Sequence, residues 1–212
     1  MSQNRRMSVD VSGDRSPASG LRERKKERTR RTIRREAFRL FREQGYAETT
    51  VDQIAAAAEV SPSTFFRYFP SKEQLALVDD LDPVMFAAID RQPADLTMLE
   101  TFRRATVEAF DSLSEEEMAF ESERVRLVFS VPELRGAMAQ EMERNIELIT
   151  RIVARRTGHA IDDFEVRVFA GALMGAMLGI MDRVPFSTDL VVRVVDFLGA
   201  GLPLSNVKPT EQ

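Results

Sequence analysis

Cysteine is absent from this 212-residue chain. Disulfides, thiolate metal sites and cysteine nucleophiles are excluded with it, and a reducing, cytoplasmic setting is the natural expectation. Histidine occurs once, as His159 beside Gly158 in a loop, where it reads as a surface residue. No phosphate-cradling glycine loop and no metal-spaced cluster is present. No catalytic residue, metal or cofactor is therefore expected, and the chain does not read as an enzyme. Long hydrophobic runs are scarce too. The longest, Val168 to Met181, covers 14 residues between Arg167 and Asp182, whereas a membrane span needs about 20. It reads as a buried helix, with no membrane association. The opening MSQNRRMSVDVSGDRSPASG has Arg5 and Arg6 but no apolar segment, so it does not read as a secretion signal. Sustained alternation of apolar and polar residues is missing, which argues against strands and for an all-α protein.

What the chain does have is a division of charge. Through Lys72 there are 16 Lys and Arg against 9 Asp and Glu, and the remainder holds 14 against 25. A basic N-terminal third on an acidic body suits a protein that meets a polyanion at one end only.

Residues 1–20 offer almost nothing to bury and are expected to be a disordered tail. A first helix is predicted from Leu21 to Gln44, with Ile33, Ala37, Leu40 and Phe41 on one stripe and Gly45 ending it. Thr50-Val51-Asp52-Gln53 is a capping box that opens a short helix presenting Val51, Ile54, Ala55 and Ala58 on one side. Ser61-Pro62, a cap followed by proline, starts another. Ser71-Lys72-Glu73-Gln74 opens a fourth, which Asp82-Pro83 should kink or interrupt. Five further helices are predicted over Asp95 to Leu113, Glu115 to Phe129, Pro132 to Thr157, Asp163 to Arg183 and Thr188 to Ala200. The tail after Gly201 is expected to fray.

Two short helices joined by Glu59-Val60-Ser61 have the spacing of a helix-turn-helix. The second is narrow enough for a major groove, and its first turn carries the small polar residues Ser61, Ser63 and Thr64, which can reach base edges and phosphates. Phe65 and Phe69, four apart, should face the core and leave Phe66, Arg67 and Tyr68 for DNA. Ser61 and Ser63 can equally be helix caps, and Lys72 a solvated charge. The run Arg22 to Arg31 holds seven Lys and Arg against two acids, which beside such a unit favours phosphate contact.

The stretch Thr49 to Leu75, TTVDQIAAAAEVSPSTFFRYFPSKEQL, with the preceding FREQGY, resembles the DNA-binding region of the TetR/AcrR family of transcription regulators. The resemblance implies about nine helices, with a DNA-binding domain at 21–75 and a ligand-binding and dimerisation domain at 76–212. It also implies a homodimer. By position it assigns Thr50, Tyr68 and Lys72 to the DNA backbone and Ser61, Ser63 and Thr64 to the groove. Two residues depart from the family's pattern. Glu59 stands where glycine is usual, which either strains the turn or leaves it right-handed. Phe66 replaces a tyrosine, exchanging a phosphate bond for an apolar contact with a thymine methyl.

In the C-terminal part, Gly171, Gly175 and Gly179 make a stripe of small residues that lets helix backbones approach closely. The last helix offers Leu190, Val191, Val194, Val195, Phe197 and Leu198. The family resemblance makes residues 163–200 the dimer interface. A two-fold dimer sets recognition helices about 34–36 Å apart and implies a near-palindromic operator. Met118, Phe129, Met138, Met142, Met174 and Met177 are candidates to line a cavity for a small apolar effector, although each also fits ordinary core. The region Pro83 to Arg183 resembles regulators related to the mycofactocin regulator, which implies an acyl-coenzyme A-like effector. The function expected is a ligand-released repressor. The alternative is an architectural DNA-binding protein with no effector response.

Overall fold

A computed structural model of the chain describes residues 17–181 and 183–202. Among them every regular element is a helix, ten in all: α1 Pro17–Gln44, α2 Val51–Ala57, α3 Pro62–Tyr68, α4 Lys72–Leu77, α5 Leu81–Arg91, α6 Met98–Asp111, α7 Glu115–Ser130, α8 Pro132–Thr157, α9 Phe164–Met181 and α10 Thr188–Gly199. Most of the expected disordered tail, residues 1–16, and the expected frayed end, 203–212, lie outside the described residues. Local capping chemistry sets the starts of five of these helices. Thr50 and Ser114 close reciprocal capping boxes with Gln53 and Glu117. Ser61, Thr97 and Ser187 each accept a backbone N–H from the first turn of the helix they open. Each such cap is worth about 1 kcal/mol.

The tenth helix arises because the expected fourth one is two. The chain leaves α4 at Leu77, and the Leu81 N–H that opens α5 donates to Asp79 Oδ1 at 2.8 Å. Pro83 falls inside the first turn of α5, where a missing N–H costs nothing. The break is therefore made by the aspartate ahead of it and not by the proline.

The chain divides between Ser71 and Lys72 into two compact units. In the first, α2 packs on α1 and on α3. Ile33, Ala37, Phe38, Ile54, Ala55, Phe65 and Phe69 are all but fully buried, and each large apolar side chain contributes about 1.5–3 kcal/mol. Phe38 meets Phe41 edge-on at 5.4 Å, and Phe41 meets Tyr46 at 5.1 Å. Gly45, at φ +88°, ends α1 with its N–H on Phe41 O.

In the second unit, α6 lies between α5 and α10, while α8 packs on α4, α7 and α9. Phe102, Ala105, Ala109, Ile149, Val153, Leu173 and Val195 belong to its shared core. Arg156 on α8 donates to the carbonyls of Ile89, Gln92 and Pro93, satisfying the C-terminal end of α5.

One expectation fails here. The apolar run of α9 is not buried within the chain: only Val166, Ala170 and Leu173 are. Phe164 is 78% exposed and Val168 50%, and a Cβ added at Gly171, Gly175 or Gly179 would meet nothing within 4 Å beyond its own helix backbone. By length and composition α9 could cross a membrane. The residues spaced along its outer face, 164, 168, 171, 175 and 179, make one stripe turned away from the unit's own core.

Candidate nucleic-acid interface and effector cavity

The first unit carries the helix-turn-helix. Ala58 closes α2 with its N–H on Ile54 O, and Val60 N–H returns to Ala55 O at 2.9 Å. Glu59 between them has φ +54°, so the turn takes the left-handed conformation that glycine would adopt freely. Such a conformation costs a residue with a Cβ about 1–2 kcal/mol.

The turn delivers three hydroxyls to the start of α3. Ser61 Oγ accepts the Thr64 N–H at 3.1 Å and lies 2.9 Å from both Ser63 Oγ and Thr64 Oγ1. Ser61 is thus a cap, and it is also an exposed member of a small hydroxyl cluster. Phe65 and Phe69 are buried as expected, with rings 5.9 Å apart. The side chains between them turn outward. Phe66 is 53% exposed, braced edge-on by Phe65 at 5.4 Å. Arg67 is exposed, its guanidinium 5.5 Å from the centre of the half-buried Tyr68 ring. Thr50 is occupied by its capping box. Gln44 bonds Thr49 and Gln53, tying α1 to that box. On α1, Arg24, Arg28, Arg31 and Arg35 border one surface depression with Glu27 and Thr32, their spacing placing them on a single helix face. Glu27 pairs with Arg31. Lys72 opens α4 and belongs to the second unit.

The second unit holds a cavity of about 250 Å³ walled by segments from α4 to α10. Of the residues expected to line it, Phe129, Met138, Met142, Met174 and Met177 do. Met118 instead packs against the core, partly buried. Sequence reasoning found the adaptable apolar wall and missed its polar part, which comprises Asp79, Asp82, Thr106, Arg124, Glu141 and Asn145.

Arg124, on α7, is nearly buried. Its Nε donates to Glu121 Oε2 at 2.5 Å, one terminal nitrogen to Asp79 Oδ2 at 2.5 Å, and the other to Leu77 O at 3.4 Å. Burial works against its charge, but the attraction of Asp79 and Glu121 wins and raises the guanidinium further above its ordinary value. Glu141 accepts from Gln74 Nε2 at 3.1 Å and from Arg144 at 2.5 Å. Asp82 has no hydrogen-bond partner for its carboxylate among the described residues. Burial first, then repulsion from Asp79, pushes its pKa from 3.8 up to about 7, with Glu141 and Glu121 adding to the rise and Arg124 opposing it. No sequence signal marked these groups, because Asp79 and Asp82 sit in an acidic run that reads as helix punctuation and Arg124 in a charged stretch that reads as solvated.

Residues 33–78 match the family model described as bacterial regulatory proteins, tetR family, and residues 96–203 match the MftR C-terminal domain. The chain is 36% identical over 203 residues to the HTH-type transcriptional regulator TcmR of Streptomyces glaucescens, covering 90% of this chain and 87% of that one. It is 28% identical over 177 residues to the proposed mycofactocin biosynthesis transcriptional regulator MftR of Mycobacterium tuberculosis, covering 80% and 89%. Among solved structures, the fatty acid degradation regulator FadR from Bacillus halodurans shares the fold, with a TM-score of 0.51 at 21% identity over 82% of this chain and 96% of that one.

Proposed function

The chain belongs to the TetR family of bacterial regulatory proteins, and from that premise we propose that it is a ligand-released repressor acting as a homodimer on a near-palindromic operator. The observation that carries this reading is the exposed first turn of α3. Three hydroxyls are clustered there, Ser61 Oγ lying 2.9 Å from each of the other two, with Phe66 and Arg67 outward beyond them, on a helix narrow enough for a major groove. Ser61, Ser63 and Thr64 read bases, Phe66 meets a thymine methyl, and Arg67 adds charge beside them. Thr50, Tyr68 and Lys72 hold the backbone. The arginine face of α1 supplies further phosphate contacts.

The dimer reading is supported by α9 and α10, whose outer faces leave Phe164, Val168 and Phe197 uncovered around an open glycine stripe. An apolar surface of this kind is what a two-fold seam buries.

The effector is an apolar-bodied small molecule held in the cavity of the second unit. Its lever is α4. Arg124 sits in the cavity wall and holds both Leu77 O, at the end of α4, and Asp79 just beyond it. A ligand that shifts this triad moves α4, whose first residue directly follows the helix-turn-helix unit in the chain. A coupling of about 1–3 kcal/mol gives 5–150-fold release.

The test is binding of the purified protein, at low salt and free of small molecules, to DNA from upstream of its own gene. A preference of at least ~10³ over random fragments is expected, against the sequence-tolerant binding of an architectural protein. Absence of any preference would refute the regulator reading.

A further inference from the structure

The polar part of the cavity has an unequal charge. Three of its lining residues are carboxylates, Asp79, Asp82 and Glu141, and one is a guanidinium, Arg124. That guanidinium is already engaged by Glu121, Asp79 and Leu77 O. An incoming carboxylate or phosphate therefore meets no uncommitted cation there, but does meet a surplus of negative charge. Asp79 is engaged as well, one oxygen by the Leu81 N–H and the other by Arg124. Glu141 has its two donors, and the cation among them, Arg144, lies largely in solvent. Asp82 is left with a carboxylate that lines the cavity without a hydrogen bond among the described residues. Phe86, one turn further along the same face of α5, also lines the wall, and an aromatic ring at that place attracts cations. The remaining wall is methionine, phenylalanine and aliphatic side chains, with the uncharged Thr106 and Asn145 among them.

We propose that the effector is a compact organic cation, an amine or quaternary ammonium on an apolar body, whose charged head is received by Asp82 and Glu141 while its hydrocarbon lies against the methionine and phenylalanine wall. This rests on the cavity being the effector site and goes beyond it by naming the ligand's charge. It disfavours the acyl-coenzyme A class, whose phosphates are anionic. The size agrees, since about 250 Å³ lies just below the ~300–1,000 Å³ of common ligand pockets.

The groups facing Asp82 are Asp79 from the segment before α5, Glu121 and Arg124 from α7, and Glu141 from α8. Three of these four make its ionised form costly, and a cation relieves that cost. Binding should therefore expel the proton that Asp82 holds below about pH 7, and cation affinity should rise as pH climbs through that range.

Three probes with an eight-carbon chain and different heads separate the possibilities on the full chain: octyltrimethylammonium, 1-octanol and octanoate. Each is titrated calorimetrically, by thermal shift, and for release of bound operator. The cation should bind at least tenfold tighter than octanol and octanoate more weakly than octanol. Cation affinity should rise several-fold from pH 6 to pH 8 while octanol affinity stays flat. Asp82→Asn should bring cation affinity down to that of octanol without changing octanol itself, which also shows that the variant is folded. Glu141→Gln should lower it in part. Octanoate binding as well as the cation, or a cation preference surviving in both variants, overturns the proposal while leaving the cavity as an effector site. Should none of the three bind or release operator, the effector reading of the cavity falls with it.

Discussion

Replacing Arg124 by methionine keeps an unbranched apolar stem as far as the position of Nε and removes the charge and donors beyond it. The guanidinium is flanked by two carboxylates of unequal exposure: the Glu121 side chain is 4% exposed and that of Asp79 27%. After the change Asp79 can turn to water and keep the Leu81 N–H as a donor, whereas Glu121 is left charged in a nearly dry site. Breaking a buried pair from one side costs about 3–5 kcal/mol. Since only one of the two acids loses its cation in a dry site, a loss of about 3 kcal/mol is expected for Arg124→Met. Adding Glu121→Met replaces the buried pair by packed hydrocarbon and should recover all but about 1 kcal/mol. Urea unfolding at pH 7 followed by far-UV circular dichroism measures this. Tyrosine fluorescence separates the units, because Tyr46 and Tyr68, the two tyrosines of a chain without tryptophan, both belong to the first. Raising the salt from 0.1 to 0.5 M should change the loss little, as buried pairs are weakly screened. A loss below 1 kcal/mol for Arg124→Met, or a double variant no more stable than the single one, would refute the view that Arg124 is held for its charge.

Ser61→Ala should cost about 1 kcal/mol of stability through loss of the cap and also weaken operator binding. Ser63→Ala should leave stability within about 0.5 kcal/mol and weaken operator binding alone; thermal melts and gel shifts on the pair tell capping from contact. At Gly175 an added Cβ finds open space and leaving glycine improves helix propensity by about 1 kcal/mol, so Gly175→Leu should leave the protomer folded but split the dimer, seen as halved mass by light scattering. For Asp82 the sign follows from its raised value. The folded chain keeps a proton up to about pH 7 that the unfolded chain gives up near 3.8, so the stability contributed by that proton is full below about pH 4 and lost as pH rises to about 7. Asp82→Asn should remove this loss, which has a ceiling of about 4 kcal/mol, and denaturation at pH 5 and pH 8 measures the change in slope.

How much could be read in advance depended on the range of the interactions involved. Ser61, Thr50 and Ser114 cap helices through groups three residues away, so local sequence was enough to place the start of α2, α3 and α7. The alternation of buried Phe65 and Phe69 with exposed Phe66 and Arg67 is likewise a matter of helical period. Glu59 shows where that legibility thins: its departure from glycine was visible, but whether the backbone stays left-handed is decided by the packing of α2 against α3, and it does, at φ +54°. Arg124 lies wholly beyond local reach. Its partners Asp79 and Leu77 are 45 and 47 residues away, and in sequence it is one charge among several on an amphipathic stretch. The exposed run of α9 fails in the opposite way. Its composition correctly indicates surface that must be covered, but composition does not say by which chain. The apolar content that reads as core within one protomer is what a second copy would be needed to bury. The same physics that misplaced α9 inside the fold therefore argues most directly for the dimer.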